Sequence, residues 1–151
     1  NLKDTVDKDI FINVVGGLKL NDSAADLAIC MAIASAAAGR KLDEKLLDKA
    51  AKQFVGTYDF SGFCASGSSV TDTTRTVVDA SVTRQGDRVI FSVEADGFLY
   101  NMVRIMAGTL YYVALNKIDP EQIKNIILSK DRKKAGVTAP AHALFLANVN
   151  Y

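Results

Sequence analysis

The sequence is poor in the residues from which metal and redox sites are usually built. Its 151 residues include two cysteines and one histidine. Cys30 and Cys64 have neither metal-site nor redox-pair spacing, so we expect two reduced, structural thiols. His142 has no cysteine or carboxylate at ligand spacing and no positioned partner for a triad. We therefore predict no metal, no cofactor and no histidine-based catalysis.

Excess charge and long apolar runs are also missing. The net charge is +1, so no global field points to a nucleic-acid partner, and RNA binding would need a local basic patch. The apolar stretch 27–38 is too short to span a bilayer, and no signal peptide precedes the first predicted strand. We expect a cytoplasmic protein that does not associate with membranes. Its hydrophobic fraction of 49% is typical of a compact domain with a real core.

The first predicted element is a strand. Residues 9–15 are mostly apolar and end at Gly16-Gly17, which favours a strand closed by a turn. The two glycines lack the continuation of a dinucleotide-binding motif and the Walker lysine-serine pair. They therefore indicate a turn and not a phosphate-binding loop.

Two helices are predicted next. Ser23 and Asp26 have capping-box spacing, which predicts a helix over residues 24–38 that is apolar nearly all the way round. A second helix is expected to begin at Asp43 and to end at Gly56, because its apolar positions recur at helical spacing.

The second half of the chain begins with a loop and a hairpin. Residues 64–69 are small and polar, which favours a mobile loop. Residues 76–84 and 88–95 alternate in polarity on either side of Gln85-Gly86-Asp87, which predicts a hairpin with one face in the core.

Two more helices and a strand follow. Residues 100–115 are rich in apolar residues and predict a third helix. Asp119 and Pro120 are typical of an N-cap and first helical position, so a fourth helix begins there. Residues 144–149 are predicted to form the last strand.

This order, β-α-α-β-β-α-α-β, predicts an α+β fold. We expect residues 1–151 to form a single domain, a ferredoxin-like α/β sandwich with a four-stranded antiparallel sheet and helices on one face. In that arrangement the strand over residues 9–15 would be central in the sheet.

Four stretches carry a family resemblance. They are AAKQFVGTYDFSGFCASGSS (50–69), TRTV (74–77), GFLYNMVRIMAGTL (97–110) and KDRKKAGVTAPAHALFL (130–146). In order and spacing they resemble the C-terminal half of the bacterial tRNA pseudouridine synthase A family, from about residue 42 to residue 151. Ala143 departs from the family's usual glycine, which would alter the backbone beside the substrate cleft.

Residues 1 to about 42 resemble a different family. NVVGGLKLNDSAADLAICMAIASA (13–36) is similar to the Lon-protease-like domain of the bacterial DNA-repair protein RadA. The two resemblances, over 1–42 and 43–151, imply an engineered or recombined chimera that folds as one composite domain.

Neither resembling segment contains the catalytic nucleophile of its family. The synthase family uses an aspartate in an Arg-Thr-Asp-Ala-Gly-Val-His motif that these 151 residues do not contain. Asp72 and Asp131 are interpreted as loop and helix-end charges. The position of the Lon-like serine is Ala24, and the adjacent Ser23 is interpreted as a helix cap. We therefore assign no catalytic residue.

The resemblance does imply a vestigial pocket. Arg104 would face the missing aspartate, and Phe98 and Tyr100 would line the pocket. The alternative for both aromatic residues is ordinary packing at the entry to a helix.

The resemblance also implies phosphate contacts from Arg75, Lys130 and Arg132. The alternative is that Lys130, Arg132, Lys133 and Lys134 form a solvated helix C-terminus favoured by the helix dipole.

The sequence thus predicts a catalytically inactive chimeric domain. The alternative is a residual tRNA-binding module or a fragment of a uridine isomerase. The expected partners are tRNA, bound weakly, and a second copy of the chain, since a dimer is favoured over a monomer.

Overall fold

The computed structural model describes residues 10–13, 26–34, 43–86, 88–139 and 144–150, and for 10–13, 26–34, 88 and 144–150 it gives the backbone only. The strands are β1 (Ile10–Asn13), β2 (Asp26–Ala34), β3 (Gly56–Asp59), β4 (Thr74–Gln85), β5 (Arg88–Ala95) and β6 (Leu144–Asn150). The α-helices are α1 (Glu44–Lys52), α2 (Met102–Ala114) and α3 (Ile123–Ser129). Short 3₁₀ turns cover Ser61–Phe63, Pro120–Gln122 and Arg132–Lys134.

The described strands form one sheet in the order β1-β6-β2-β5-β4-β3. The three long strands β2, β5 and β4 lie side by side and run antiparallel. Strand β1 is parallel to β6, through the pair Asn13 and Leu144. The fold is therefore a mixed α/β arrangement with a mainly antiparallel sheet. The predicted count of four strands is wrong, and the ferredoxin-like order is not confirmed.

The largest correction concerns the helix predicted over residues 24–38. Residues 26–34 form strand β2, which pairs with β5 from Leu27 opposite Ala95 to Ala34 opposite Arg88. The sequence DLAICMAIA alternates larger and smaller apolar residues, a period of two that an all-apolar helix pattern hides. Ser23, the predicted cap, lies outside the described residues.

The strand predicted over residues 9–15 exists in part, but its position in the sheet differs from the prediction. Residues 10–13 are a strand, but β1 lies at the end of the sheet order and not at its centre. It pairs antiparallel with β2, from Ile10 opposite Ile33 to Asn13 opposite Cys30. Because β2 occupies the place beside β5, no central position is left for β1.

The hairpin of β4 and β5 is confirmed, with Gln85 opposite Arg88 at its tight end. Val78 was predicted to share the buried face with Ala80 and Val82, but it lies on the opposite face. Val78 is 46% exposed whereas Val77 is 1% exposed. The register shifts between Val77 and Asp79, and such a bulge moves the following side chains to the opposite face.

Helix α1 begins as predicted, because the Asp43 carboxylate accepts a hydrogen bond from the Leu46 N–H at 3.2 Å. Two polar contacts hold it on β4. Lys52 Nζ donates to the Ala80 carbonyl at 2.8 Å, and the Val82 N–H donates to Asp48 Oδ1 at 2.8 Å. The helix ends at Lys52 and not at Gly56 as predicted, and Gly56 is instead the first residue of strand β3, which was not predicted.

Helices α2 and α3 are confirmed with shorter limits than the sequence indicated. Asp119 Oδ1 accepts from the Glu121 N–H at 2.8 Å, and Pro120 opens the 3₁₀ turn that leads into α3. Within the described ranges, no helix is long and apolar enough to cross a membrane.

Four phenylalanines form an aromatic cluster in the core beneath the hairpin. Phe54 meets Phe63 edge to face at 5.4 Å between ring centroids and Phe91 at 6.2 Å. Phe60 extends the cluster, with its ring 6.2 Å from that of Phe63. The rings connect the end of α1, the turn after β3 and strand β5, so this cluster fixes the elements that carry the candidate site.

Candidate functional site

Arg104 lies on the first turn of α2 and is half-buried. Its Nε donates to the Ala139 carbonyl at 2.6 Å, and its Nη1 donates to Asn101 Oδ1 at 3.0 Å. Among the described side chains, no carboxylate oxygen lies within 4.0 Å of its guanidinium. The guanidinium is therefore held in place by neutral acceptors, and its positive charge is not neutralised by that part of the chain.

Asn101 supports this arrangement from an unusual backbone position. It precedes α2 with φ of 58°, in the left-handed region that asparagine tolerates better than most residues. Its side chain does not cap the helix but accepts from Arg104. Sequence reasoning missed Asn101, although an asparagine just before an apolar helix is a signal for a special backbone conformation.

Residues 135–139, here called the 135–139 loop, lie directly on α2. An added Cβ at Gly108 would stand 1.6 Å from the Val137 carbonyl oxygen, and one at Gly136 would stand 2.5 Å from the Gly108 backbone. The two glycines therefore allow the backbones of loop and helix to touch. The Ala139 N–H completes the contact by donating to the Arg104 carbonyl at 2.9 Å.

Thr109 fastens the middle of the 135–139 loop. Its fully buried hydroxyl accepts from the Gly136 N–H at 2.9 Å and donates to the Ile105 carbonyl at 2.7 Å. Both hydrogen-bonding functions of the hydroxyl are thus satisfied inside the protein. A lone threonine in the apolar run of α2 was a signal that the sequence analysis did not use.

Phe98 and Tyr100 behave differently from each other. Phe98 is partly buried and packs against the core, which favours the packing alternative for this residue. Tyr100 is 55% exposed, and its carbonyl accepts from the Ala65 N–H at 3.0 Å. The Tyr100 backbone is therefore fixed while much of its side chain stays open to solvent, where it could stack on a ligand.

Arg75 lies at the start of β4, where its Nη1 donates to the Asp72 and Thr74 carbonyls at 2.8 and 2.7 Å. An added Cβ at Gly97 would stand 3.5 Å from Arg75 Nε, so the arginine covers the residue next to Phe98. The structure thus brings Arg75 to the segment that carries the predicted pocket residues.

Lys130 and Arg132 follow α3 but have different surroundings. Lys130 is exposed and has a φ of 55°, and its Nζ lies 3.6 Å from Asp59 Oδ2. Arg132 is half-buried, with Nη1 donating to the Gly136 carbonyl at 2.8 Å and Nη2 to Thr138 Oγ1 at 3.1 Å. Lys130 is therefore open to solvent, whereas both terminal nitrogens of Arg132 already donate hydrogen bonds within the chain.

Asp59 is a further polar residue that the sequence analysis missed. The Thr73 hydroxyl donates to Asp59 Oδ1 at 2.6 Å, and the Ser61 N–H donates to the same oxygen at 3.0 Å. The Thr73 hydrogen bond, with smaller contributions from Ser61 and Lys130, lowers the pKa of the Asp59 carboxyl. Asp59 is therefore an ionised partner that holds Lys130 near the turn after β3.

The remaining acidic candidates have local roles in the structure. Asp72 Oδ1 accepts from the Thr74 N–H at 3.0 Å, and Asp131 Oδ1 accepts from the Lys133 N–H at 3.0 Å. Both carboxylates therefore stabilise turns. Cys64 is a free thiol, and the described residues contain no group of three or more histidine, cysteine or acidic side chains that could hold a metal ion. His142, Ala143 and Ala24 lie outside the described residues.

Comparison with known proteins identifies relatives of the C-terminal two thirds. A family model for tRNA pseudouridine synthase matches residues 50–151. The tRNA pseudouridine synthase A of Thermoanaerobacter sp. (strain X514) is 51% identical over 105 residues, 70% of this chain and 43% of that protein. The enzymes of that name from Acetivibrio thermocellus and Bacillus subtilis (strain 168) are 50% and 43% identical over 111 residues.

Those two alignments each cover 74% of this chain, and 46% and 45% of the respective relatives. The chain thus spans less than half the length of the curated relatives it matches. Neither the family match nor these relatives support the Lon-like resemblance of residues 1–42 or a chimeric origin.

Proposed function

The chain belongs to the tRNA pseudouridine synthase family, and we propose that residues 50–151 form the half of a uridine-isomerising site that binds tRNA without supplying the nucleophile. Arg104 carries this proposal. Its half-buried guanidinium is oriented by the Ala139 carbonyl and Asn101, yet it has no carboxylate partner among the described residues. A preorganised, unneutralised cation favours an anionic partner from outside that part of the chain.

In this proposal the partner of Arg104 is the nucleophilic aspartate of the family, which would attack the flipped uridine. Asp72 and Asp131 are poor substitutes, because each carboxylate already accepts from a turn N–H. We therefore propose that the 151 residues alone do not isomerise uridine. The assignment of no catalytic residue to these 151 residues is part of this proposal.

We propose that RNA phosphates are approached by Arg75 and Lys130, and that the exposed Tyr100 stacks on a base. Arg75 has a second terminal nitrogen, Nη2, for which the described residues supply no hydrogen bond, and Lys130 is exposed. Phe98 supports the pocket from the core side. Tyr100 lies in the segment 97–104 and Arg75 covers Gly97 of the same segment, so we propose that one RNA strand contacts both side chains.

The test is a filter-binding titration of the full chain with unmodified tRNA at several salt concentrations. We expect weak retention that falls as salt rises, because each neutralised phosphate releases counterions. Arg75→Gln should reduce the slope of log K against log salt by about one. Lys45→Gln serves as the matched control, since it removes one positive charge from the exposed side of α1, and should leave the slope within about half a unit of wild type. Retention that does not depend on salt, or none at low salt, would remove the proposal.

An inactive chimera remains the second proposal, motivated by the resemblance of residues 13–36 to a Lon-like domain. Under either proposal we expect residues 1–151 to form a single domain, since the described strands of both parts share one sheet. We also propose a homodimer. Sedimentation at several concentrations checks it, and a sedimentation coefficient that stays monomeric throughout would contradict it.

A further inference from the structure

We propose that Arg132 is a positioning residue for Arg104 and not a phosphate ligand. This inference rests on the proposed function, because it assigns a role within the same site. It reverses the role that the family resemblance implied for Arg132.

The first step is the state of the Arg132 guanidinium. Its two terminal nitrogens donate to the Gly136 carbonyl at 2.8 Å and to Thr138 Oγ1 at 3.1 Å. A phosphate is bound most strongly by the same pair of nitrogens acting as a fork. Binding RNA in this way would require Arg132 to release the loop that it holds.

The second step follows the 135–139 loop from Arg132 to Arg104. Arg132 holds Gly136 and Thr138, and the next residue, Ala139, contacts Arg104 twice. The Ala139 carbonyl accepts from Arg104 Nε at 2.6 Å, and its N–H donates to the Arg104 carbonyl at 2.9 Å. A shift of the loop would therefore move the acceptor that orients the Arg104 guanidinium.

The neighbouring basic residues lack this connection. Lys133 is exposed, and its side chain makes no ion pair with any described residue. Lys130 is also exposed, and among the described residues its ion-pair partner is Asp59. Among the basic residues around the 3₁₀ turn Arg132–Lys134, Arg132 is thus the one whose charge-bearing atoms contact the loop.

The experiment uses the full chain and measures hydrogen exchange of the Arg104 Nε–H by NMR, with tRNA salt slopes as a second readout. Thr138→Ala removes one acceptor of Arg132 without changing any charge. Arg132→Lys keeps the charge but cannot form the fork. Lys133→Gln is the matched control, and the Val93 amide in β5 reports global opening.

We expect Arg132→Lys and Thr138→Ala to speed exchange of the Arg104 Nε–H by about tenfold. Each change loosens the hold of residue 132 on the 135–139 loop, and this weakens the hydrogen bond from Arg104 Nε to the Ala139 carbonyl. The Val93 amide should keep its wild-type rate, which separates a local effect from unfolding. The tRNA salt slope should stay unchanged in both variants, and Lys133→Gln should leave Arg104 exchange unchanged.

Wild-type exchange of the Arg104 Nε–H in both variants would overturn the proposal. So would an Arg132→Gln variant that reduces the salt slope by about one while Arg132→Lys restores it, since that is the behaviour of a phosphate ligand. If the wild-type chain shows no salt-dependent retention, the proposed function fails, but the Arg104 exchange rates still decide whether Arg132 positions Arg104.

Discussion

Gly108→Ala is expected to destabilise the protein by about 2 to 3 kcal/mol, even though alanine is the better helix former. Alanine in a helix interior gains about 1 kcal/mol over glycine. At this position its Cβ would stand 1.6 Å from the Val137 carbonyl oxygen, which belongs to the backbone and cannot rotate away. The 135–139 loop would have to leave α2. Overpacking typically costs about 1 to 3 kcal/mol and occasionally more, and a contact this short with a backbone oxygen belongs at or above the upper end of that range.

Chemical denaturation monitored by circular dichroism measures this change. Gly97→Ala is the matched control, because its Cβ would meet the flexible Arg75 side chain at an ordinary 3.5 Å. The control should stay within about 1 kcal/mol of wild type. A Gly108→Ala variant that is more stable than wild type would mean that helix propensity dominates and that the loop does not rest on α2.

Phe54→Ala should destabilise the protein more than Gly108→Ala does. Phe54 has no exposed surface, and its ring contacts both Phe63 and Phe91. Truncation leaves a cavity at the centre of the aromatic cluster, for which the expected loss is about 3 to 5 kcal/mol. Thermal unfolding followed at several denaturant concentrations provides the measurement.

Tyr100→Ala is the comparison for Phe54→Ala, because it removes another large aromatic side chain that is 55% exposed. Its effect on the free energy of unfolding should be below about 1 kcal/mol. Equal losses at the two positions would contradict the placement of Phe54 in the core and of Tyr100 at the surface.

Local signals were sufficient for the elements that depend on neighbouring residues. Asp43 and Asp119 predicted two helix starts because a cap is a contact between residues two or three positions apart. The turn around Gly86 predicted the hairpin for the same reason, and its φ of 62° is the left-handed conformation that glycine supplies.

The misassigned strand β2 shows that local sequence patterns do not predict pairing between distant strands. Its residues are apolar at nearly every position, so the period of two is visible in side-chain size but not in polarity. Pairing with β5 joins positions 27 and 95, and no local pattern reports a partner that distant. The bulge at Val77 and Asp79 is similarly invisible, because it depends on the register with β5.

The sequence named some residues of the candidate site but none of their contacts. The resemblance over residues 97–110 and 130–146 named Arg104 and Arg132, yet it gave both an external partner. The structure shows that each donates to the 135–139 loop, through Ala139 and Gly136. Those contacts depend on two glycines 28 positions apart, Gly108 and Gly136, that let backbones touch.

We propose that this chain holds the tRNA-binding wall of a uridine-isomerising site without its nucleophile. Tritium release from tRNA labelled in uridine measures it most directly, with the Thermoanaerobacter synthase as the positive control. The same samples are assayed for tRNA retention, so that an absence of tritium release cannot be explained by a failure to bind tRNA. We expect retained tRNA and release equal to the blank without protein. Release above that blank would contradict the claim, because it would place a working nucleophile within these 151 residues.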